Sequence, residues 1–166
     1  MLRIEQAQFD AIRQHGEETY PNECCGVLLG HATEGVNTVV DSVRAGNTRT
    51  DSAHNRYQIA PQELIRIQSQ ARRRDLDIVG FYHSHPDHPA QWSKTDLAEA
   101  HWMGCSYVIT SVQGNAADGA ATLRCRAMDT NSFLLAGTSE EDKSLESQPI
   151  EIAAQAAKTV AAIAGA

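Results

Sequence analysis

Residues 78–86 read IVGFYHSHP, and this stretch decides the fold because it predicts a central strand that ends in a pair of histidines. Residues 78–82 are apolar, aromatic or glycine, which is the composition of a buried strand. His83 and His85 follow, and Pro86 favours the end of the strand because proline cannot donate a hydrogen bond to a sheet. Side chains alternate between the two faces of a strand, so both imidazoles are predicted to point the same way.

The histidine pair indicates a metal site that needs a third ligand. Two neutral imidazoles on one face supply half of a tetrahedral zinc site. Asp96 lies eleven residues after His85, at the start of a predicted helix, where a short loop can bring its carboxylate back to the histidines. His83, His85, Asp96 and a water would together form an open catalytic site for one zinc ion per chain.

Spacing alone leaves a structural interpretation open for each of these residues. Ser93-Lys94-Thr95-Asp96 fits S-x-x-D, the pattern of a helix capping box, so capping and metal binding are equally compatible with Asp96. A single histidine at a strand end is more often structural, and only the pairing makes metal binding comparably plausible. His88 is an alternative ligand, but its loop setting before Pro89 favours a surface role, and His101 is predicted to lie on a helix surface.

The segments around this stretch alternate between helices and strands. Apolar residues at helical spacing predict helices over residues 4–18, 61–74 and 93–103. Apolar or β-branched runs predict strands over residues 24–30, 36–43, 107–112 and 121–128, the first two as a hairpin, and a short strand over residues 56–59. Helices interleaved with strands indicate an α/β domain whose sheet has helices packed on it.

The length of 166 residues fits one domain, because a single hydrophobic core usually serves about 100–200 residues. From Gly137 the sequence becomes acidic and rich in serine, and an alanine-rich segment follows. We therefore expect a domain over residues 1–136, and a mobile linker and partly disordered tail over residues 137–166.

Charge and hydropathy exclude several classes of function. The formal net charge of −7 argues against nucleic acid as the partner, because binding to phosphates depends on clustered cations. The one basic run, Arg72-Arg73-Arg74, falls at the end of a predicted helix, where cations compensate the helix dipole. Residues 1–5 do not resemble a secretory signal, and no apolar stretch is long enough to cross a membrane. We expect a cytoplasmic protein.

The four cysteines, Cys24, Cys25, Cys105 and Cys125, are expected to be reduced thiols. No pair has C-x-x-C spacing, which argues against an all-cysteine zinc site. A cysteine hydrolase that uses Cys24 or Cys25 is an alternative function, but no recognisable activating arrangement accompanies either residue. Packing as small apolar groups is the favoured interpretation.

The order and spacing of His83-Ser84-His85-Pro86 and Ser93-Lys94-Thr95-Asp96 resemble the JAMM motif of the MPN-domain zinc metallopeptidases. The resemblance implies that His83, His85 and Asp96 are the metal ligands. It also implies a general base and acid at Glu23, in Pro21-Asn22-Glu23-Cys24-Cys25-Gly26, and an oxyanion-stabilising hydroxyl at Ser93. The implied fold is the MPN/JAB fold, a curved mixed sheet between helices that is similar to the fold of cytidine deaminases.

The short chain and the sequence around Glu23 resemble those of the bacterial stand-alone members of that family. Those proteins are associated with small ubiquitin-like sulfur carriers that end in Gly-Gly. The resemblance thus implies zinc-dependent hydrolysis of a peptide or isopeptide bond after the Gly-Gly of such a carrier, which would be the partner protein. The alternative is a non-catalytic MPN-type binding scaffold, which the joint presence of the five motif residues argues against. The oligomeric state is not predicted.

Overall fold

The computed structural model describes residues 1–48, 53, 56–115 and 124–154. Its elements, in chain order, are β1 (Leu2–Glu5), α1 (Gln6–Thr19), β2 (Cys25–Thr33), β3 (Val36–Ala45), α2 (Pro61–Arg73), β4 (Asp77–Pro86), α3 (Lys94–Glu99), β5 (Ser106–Asn115), β6 (Arg124–Ala136), β7 (Ser144–Gln148) and β8 (Ile150–Ala153). The strands form one sheet in the order β7-β6-β5-β4-β2-β3-β1-β8. None of the described helices is long and apolar enough to cross a membrane.

The sheet is mixed and has helices on both faces, as the sequence predicts. β2 and β3 form the predicted antiparallel hairpin, β4 pairs antiparallel with β2, and β4 pairs parallel with β5 across the α3 connection. Bulges interrupt the β2–β3, β2–β4 and β5–β6 ladders, and such bulges bend strands and increase the twist of a sheet. The α/β prediction is therefore confirmed.

Two apolar clusters hold the helices against opposite faces of the sheet. One cluster contains Ile12 of α1 with Leu28 and Tyr82 from the sheet. The other contains Ile67 of α2 with Phe81. The consecutive residues Phe81 and Tyr82 thus point to opposite faces of β4, and His83 and His85 follow Phe81 onto the face that α2 and α3 cover.

The end of α3 differs from the sequence prediction, which extended the helix to residue 103. Ala100 leaves helical geometry, with φ −81° and ψ 117°. The Lys143 ammonium donates hydrogen bonds to the carbonyls of Ala98 and Ala100, so it satisfies groups that a longer helix would have used. His101 consequently lies beyond the helix, although it is exposed as predicted.

Residues 2–5 and 56–59 also differ from the predictions. Leu2 and Ile4 alternate inward on β1 instead of opening the first helix, a distinction that four residues are too few to reveal. Residues 56–59 form no strand, and the side chains of residues 47 and 48 take part in the hydrogen bonds of their backbone. Asn47 accepts from the Gln58 amide, and Thr48 donates to the Gln58 carbonyl. The start of the strand predicted over residues 121–128 lies outside the described residues.

The segment expected to be a mobile linker and tail contributes two strands. β7 pairs antiparallel with β6, opposite Leu135, and buries Leu145. β8 pairs parallel with β1 at the other edge of the sheet. At the end of β7, the Gln148 side-chain oxygen accepts hydrogen bonds from the Ser106 and Ser132 hydroxyls. The acidic composition of this segment gave no indication of the two strands or of the Gln148 hydrogen bonds. Residues 155–166 lie outside the described residues.

We predict a pH dependence of stability that depends on His15, whose Nδ1 lies 2.9 Å from the Tyr82 hydroxyl. Burial lowers the pKa of His15 to about 4. Below its ordinary pKa of about 6.5 the unfolded chain binds a proton there that the folded protein does not, so stability is lost as pH falls from about 6.5 to 4. The loss should be at most about 3 kcal/mol.

Urea unfolding at pH 7 and pH 4.5 checks this dependence. His15→Gln should show a smaller loss of stability between the two pH values than the unchanged protein. His31→Gln, at an exposed position on β2, is the matched control and should lose as much as the unchanged protein. An equally large loss in His15→Gln would contradict the assignment.

Candidate active site

The pairing of β2 with β4 brings the glutamate of the motif to its histidines. Cys25 lies opposite His83 in the antiparallel ladder. Glu23, two residues earlier in an extended segment, therefore lies on the same side of the sheet as both His83 and His85. Ser84 tightens the pairing, because its amide donates to the Cys24 carbonyl and its hydroxyl accepts from the Cys24 amide at 2.9 Å.

The ligand atoms of the three predicted metal ligands converge. His83 Nε2 lies 3.0 Å from His85 Nε2 and 3.3 Å from Asp96 Oδ1, and His85 Nε2 lies 3.6 Å from Asp96 Oδ2. Among the described residues, these three form the only cluster of histidine, cysteine or acidic side chains that could hold a metal ion. His88 and His101, the other histidines considered, are exposed and outside it.

The separations suit a tetrahedral ion of the size of zinc. Bonds of about 2.0–2.1 Å to a tetrahedral zinc keep its ligand atoms about 3.3 Å apart. The separations of 3.0, 3.3 and 3.6 Å, the last two to different oxygens of Asp96, bracket that value. Two imidazoles and one carboxylate also leave one tetrahedral position for water or substrate. The residues therefore fit the metal that their types suggest.

His85 is oriented by a loop that sequence reasoning did not connect with it. Its Nδ1 lies 3.0 Å from the Pro89 carbonyl, which can only accept, so Nδ1 carries the proton and Nε2 keeps its lone pair for a metal. Ser111 donates to the His88 carbonyl and Asn131 to the Ala90 carbonyl, so two neighbouring strands hold this loop. In the sequence, the only indication that this loop would have a defined shape was the proline at position 89.

His83 is held by packing. Its ring stacks on Tyr57 with the centroids 4.6 Å apart, and among the described residues its Nδ1 has no hydrogen-bond partner. Burial lowers the pKa of His83, which favours the neutral form that binds metals. For His85, the hydrogen bonds to Asp96 and to the Pro89 carbonyl outweigh burial and raise the pKa. Tyr57 was not singled out from the sequence.

Asp96 forms the capping box and also faces both histidines, so the two interpretations that spacing left open are compatible in one side chain. Its Oδ2 accepts from the Ser93 amide at 2.6 Å, and the Asp96 amide donates to the Ser93 hydroxyl at 3.2 Å, so the capping box at the start of α3 is formed. The same carboxylate faces both histidines. Burial opposes its ionisation, but the hydrogen bonds from His83, His85 and Ser93 outweigh burial and hold the Asp96 pKa far below its ordinary value.

Glu23 lies almost wholly buried beside this cluster, with 4% of its surface exposed. Burial raises the pKa of its carboxyl to about 8, against the opposing effect of His85 and with a further contribution from Asp96. A carboxyl with this pKa is half protonated near pH 8 and mostly protonated at pH 7, so it can release a proton at neutral pH and a minority of ionised molecules can accept one.

A family model described as prokaryotic homologues of the JAB domain matches residues 5–126, which is most of the chain. The chain belongs to this family. The resemblance recognised in the motif is thereby confirmed, and so is the fold that it implied.

Three relatives illustrate the likeness. A desampylase from Haloferax volcanii is 34% identical over 109 residues, which cover 63% of this chain and 76% of the relative. A protein of known structure from Salinibacter ruber is 36% identical, with a TM-score of 0.64 and 91% of each chain covered. A second structure, from Desulfitobacterium hafniense, has a TM-score of 0.71 at 24% identity, covers 93% of this chain and 94% of its own, and shows a likeness of fold.

The cysteines next to Glu23 have the properties of packing residues. Cys24 and Cys25 are both buried, and all four cysteines are free thiols. Burial raises the pKa of Cys24 to about 11 and that of Cys25 to about 12. Because the thiolate is the nucleophile, these values oppose a catalytic role at neutral pH.

We therefore predict that Cys24 and Cys25 resist alkylation in the folded protein. Iodoacetamide at pH 7.5 should modify the half-buried Cys125 first and leave both of them unmodified, whereas all four cysteines should react in urea. Peptide mapping by mass spectrometry measures the extent at each site. Rapid modification of Cys24 or Cys25 in the native protein would favour the cysteine-hydrolase alternative.

Proposed function

We propose that the protein is a zinc metallopeptidase that hydrolyses the peptide or isopeptide bond after the carboxyl-terminal Gly-Gly of a small ubiquitin-like sulfur-carrier protein. The convergence of His83, His85 and Asp96 beside the buried Glu23 is the observation that carries the proposal. The desampylase relative supports hydrolysis as the type of reaction. The Gly-Gly end and the carrier class rest on the resemblance to the bacterial stand-alone members.

In this proposal His83 Nε2, His85 Nε2 and one oxygen of Asp96 hold the zinc ion. Zinc in such a site lowers the pKa of water to around 7 and polarises a carbonyl group. The Pro89 carbonyl holds the proton on Nδ1 of His85, so Nε2 would be available to the metal, and the capping box keeps the Asp96 carboxylate in place. The protein's contribution is a rigid set of donors that leaves one position open.

Glu23 moves the proton. Its carboxylate takes a proton from the attacking water and returns it to the nitrogen of the departing amine, because an amide nitrogen leaves poorly until it is protonated. The balance is that of hydrolysis: water adds across the amide bond, and the products are a Gly-Gly carboxylate and a free amine. The raised pKa of Glu23, about 8, keeps both steps accessible near neutral pH.

Ser93 would stabilise the charge that develops on the carbonyl oxygen. Its hydroxyl oxygen accepts from the Asp96 amide in the capping box, which leaves the O–H free to donate. Ser93 is exposed, so a substrate can reach it. A donor fixed in this way costs little reorganisation when the oxyanion forms. A protein that served only as a binding scaffold would need neither this donor nor a buried glutamate beside three residues of the types that bind metals.

Metal content tests the ligand set. The purified protein should contain one zinc ion per chain, and His83→Ala and Asp96→Ala should lose most of it, because two donors do not hold zinc as tightly as three. His88→Ala is the matched control, since His88 is an exposed histidine of the same segment. Elemental analysis after dialysis gives the stoichiometry. Full zinc content in both ligand variants would refute the site.

Glu23→Gln tests the proton transfer separately from metal binding. The amide is close in shape to a protonated carboxyl, so the variant should fold and keep its zinc, while cleavage falls at least about a hundredfold because the general base is lost. Cleavage of a Gly-Gly carrier extended by one residue provides the assay. Glu146→Gln, at an exposed position on β7, is the control and should retain activity. A fully active Glu23→Gln protein would exclude the mechanism.

A further inference from the structure

A cavity of about 260 Å³ opens next to the candidate metal cluster. It shares a wall with the cluster, because Tyr57 lines the cavity and also stacks on the ring of His83. Phe81, which lines its floor, precedes His83 by two residues on the same face of β4, a distance of about 7 Å along a strand. The cavity therefore lies within the reach of one amino-acid residue from the position where a bond would be cleaved.

The lining of this cavity is mainly apolar and aromatic. Phe81 stacks on Tyr107 with the centroids 5.5 Å apart and meets Trp102 edge to face at 5.6 Å. The aliphatic side chains of Ile59 and Leu64 complete the apolar lining. The Tyr107 hydroxyl accepts from the Trp102 amide, so this polar atom of the floor already has a partner. Gln58 and the exposed residues Glu99 and His101 supply the polar part of the lining. The apolar preference therefore rests on the aromatic floor, where a charged group placed against Phe81, Trp102 and Tyr107 would lose hydration that these rings do not replace.

The volume fits a single large side chain. An apolar cavity of about 150 Å³ accommodates a benzene molecule. Sites for drug-sized ligands usually span about 300–1,000 Å³, so the 260 Å³ here falls between the two. An aromatic or branched aliphatic side chain therefore matches both the size and the chemistry of the cavity.

The chemistry of the proposed substrate decides on which side of the cleaved bond this side chain belongs. If the acyl side ends in Gly-Gly, its two terminal residues have no side chains to place in a cavity. The first side chain next to the bond then comes from the departing amine. We propose that this cavity, which we call the leaving-residue pocket, binds a large apolar side chain on the residue that follows Gly-Gly. The inference rests on the proposed function for the identity of the acyl side.

A panel of substrates tests the preference. Carrier proteins that end in Gly-Gly followed by Phe, Leu, Ala or Asp should differ in kcat/KM, with Phe and Leu at least about tenfold above Ala and Asp. Leu64→Phe places more carbon in the pocket and should bring the ratio of Phe to Ala close to one. Ile65→Phe is the matched control, because Ile65 follows on the same helix but is 65% exposed, and it should leave the ratio unchanged.

A binding measurement keeps this test independent of catalysis. The chain has two tryptophans, Trp92 and Trp102, so Trp92→Phe leaves a single indole, which lines the pocket. Phenylalaninamide, a mimic of the released amine, should change the Trp102 emission saturably. Alaninamide should need at least about ten times the concentration. Leu64→Phe in the same background should abolish the response to phenylalaninamide.

The two readouts separate failure of the pocket from failure of the proposed function. Saturable binding of phenylalaninamide without cleavage of any substrate would support the pocket and refute the proposed function. Cleavage that is indifferent to the following residue, without phenylalaninamide binding, would refute the pocket and leave the proposed function intact. A preference for Ala, or a Phe preference that Leu64→Phe does not change, would also overturn the pocket.

Discussion

The register between β2 and β4 is the constraint on which the candidate site depends. With Cys25 opposite His83, Glu23 lies on the face that carries both histidines, and a slip of one residue would turn it to the other face. Ser84 fixes this register through its amide and its hydroxyl, both bonded to the backbone of Cys24. The residue between the two histidines is thus as important to the geometry as the histidines themselves. Its own side chain points away from the metal cluster.

The position of Asp96 depends on α3, a helix that is too short to be stable alone. α3 has six residues, whereas isolated helices shorter than about 12–15 residues are marginal in water. Its first turn is closed by the reciprocal bonds between Ser93 and Asp96, and its last carbonyls are satisfied by Lys143. The capping box leaves the Asp96 carboxylate facing both histidines, so capping is compatible with the proposed metal binding. The cap is the means by which the carboxylate is oriented, since each of its oxygens faces a different histidine.

The sequence predicted the parts of this arrangement that local patterns encode. The β2–β3 hairpin, α2 and the histidine strand follow from periodicity and from proline and glycine positions, and all three are present. The end of α3 depends on Lys143, more than forty residues away, and the edge strands β7 and β8 depend on partners elsewhere in the sheet. Such contacts leave no local pattern to recognise.

The candidate site likewise has features that local sequence patterns predict and features that they do not. Composition could not choose Glu23 over Glu17, Glu18 or Glu63, and the resemblance to a known motif was needed to do so. The fold supplies the physical reason for that choice. Glu18 is exposed and Glu17 accepts from the Ala127 amide, whereas Glu23 is buried next to the metal-ligand types. Tyr57 and the carbonyl of Pro89 come from segments without regular structure, so no periodicity could have connected them with the histidines.

β4 presents different residues to the two faces of the sheet. Its even-numbered residues Tyr82 and Ser84 face α1, where the hydroxyl of Tyr82 meets His15 and Ser84 packs against Gly16. An added methyl at Gly16 would lie 3.0 Å from Val112 and 3.2 Å from Ser84, so a larger residue would require these side chains to shift by a few tenths of an ångström. The odd-numbered residues carry the aromatic floor and the two histidines. α1 thus packs against one face of β4, while the two histidines and the aromatic floor of the pocket lie on the other.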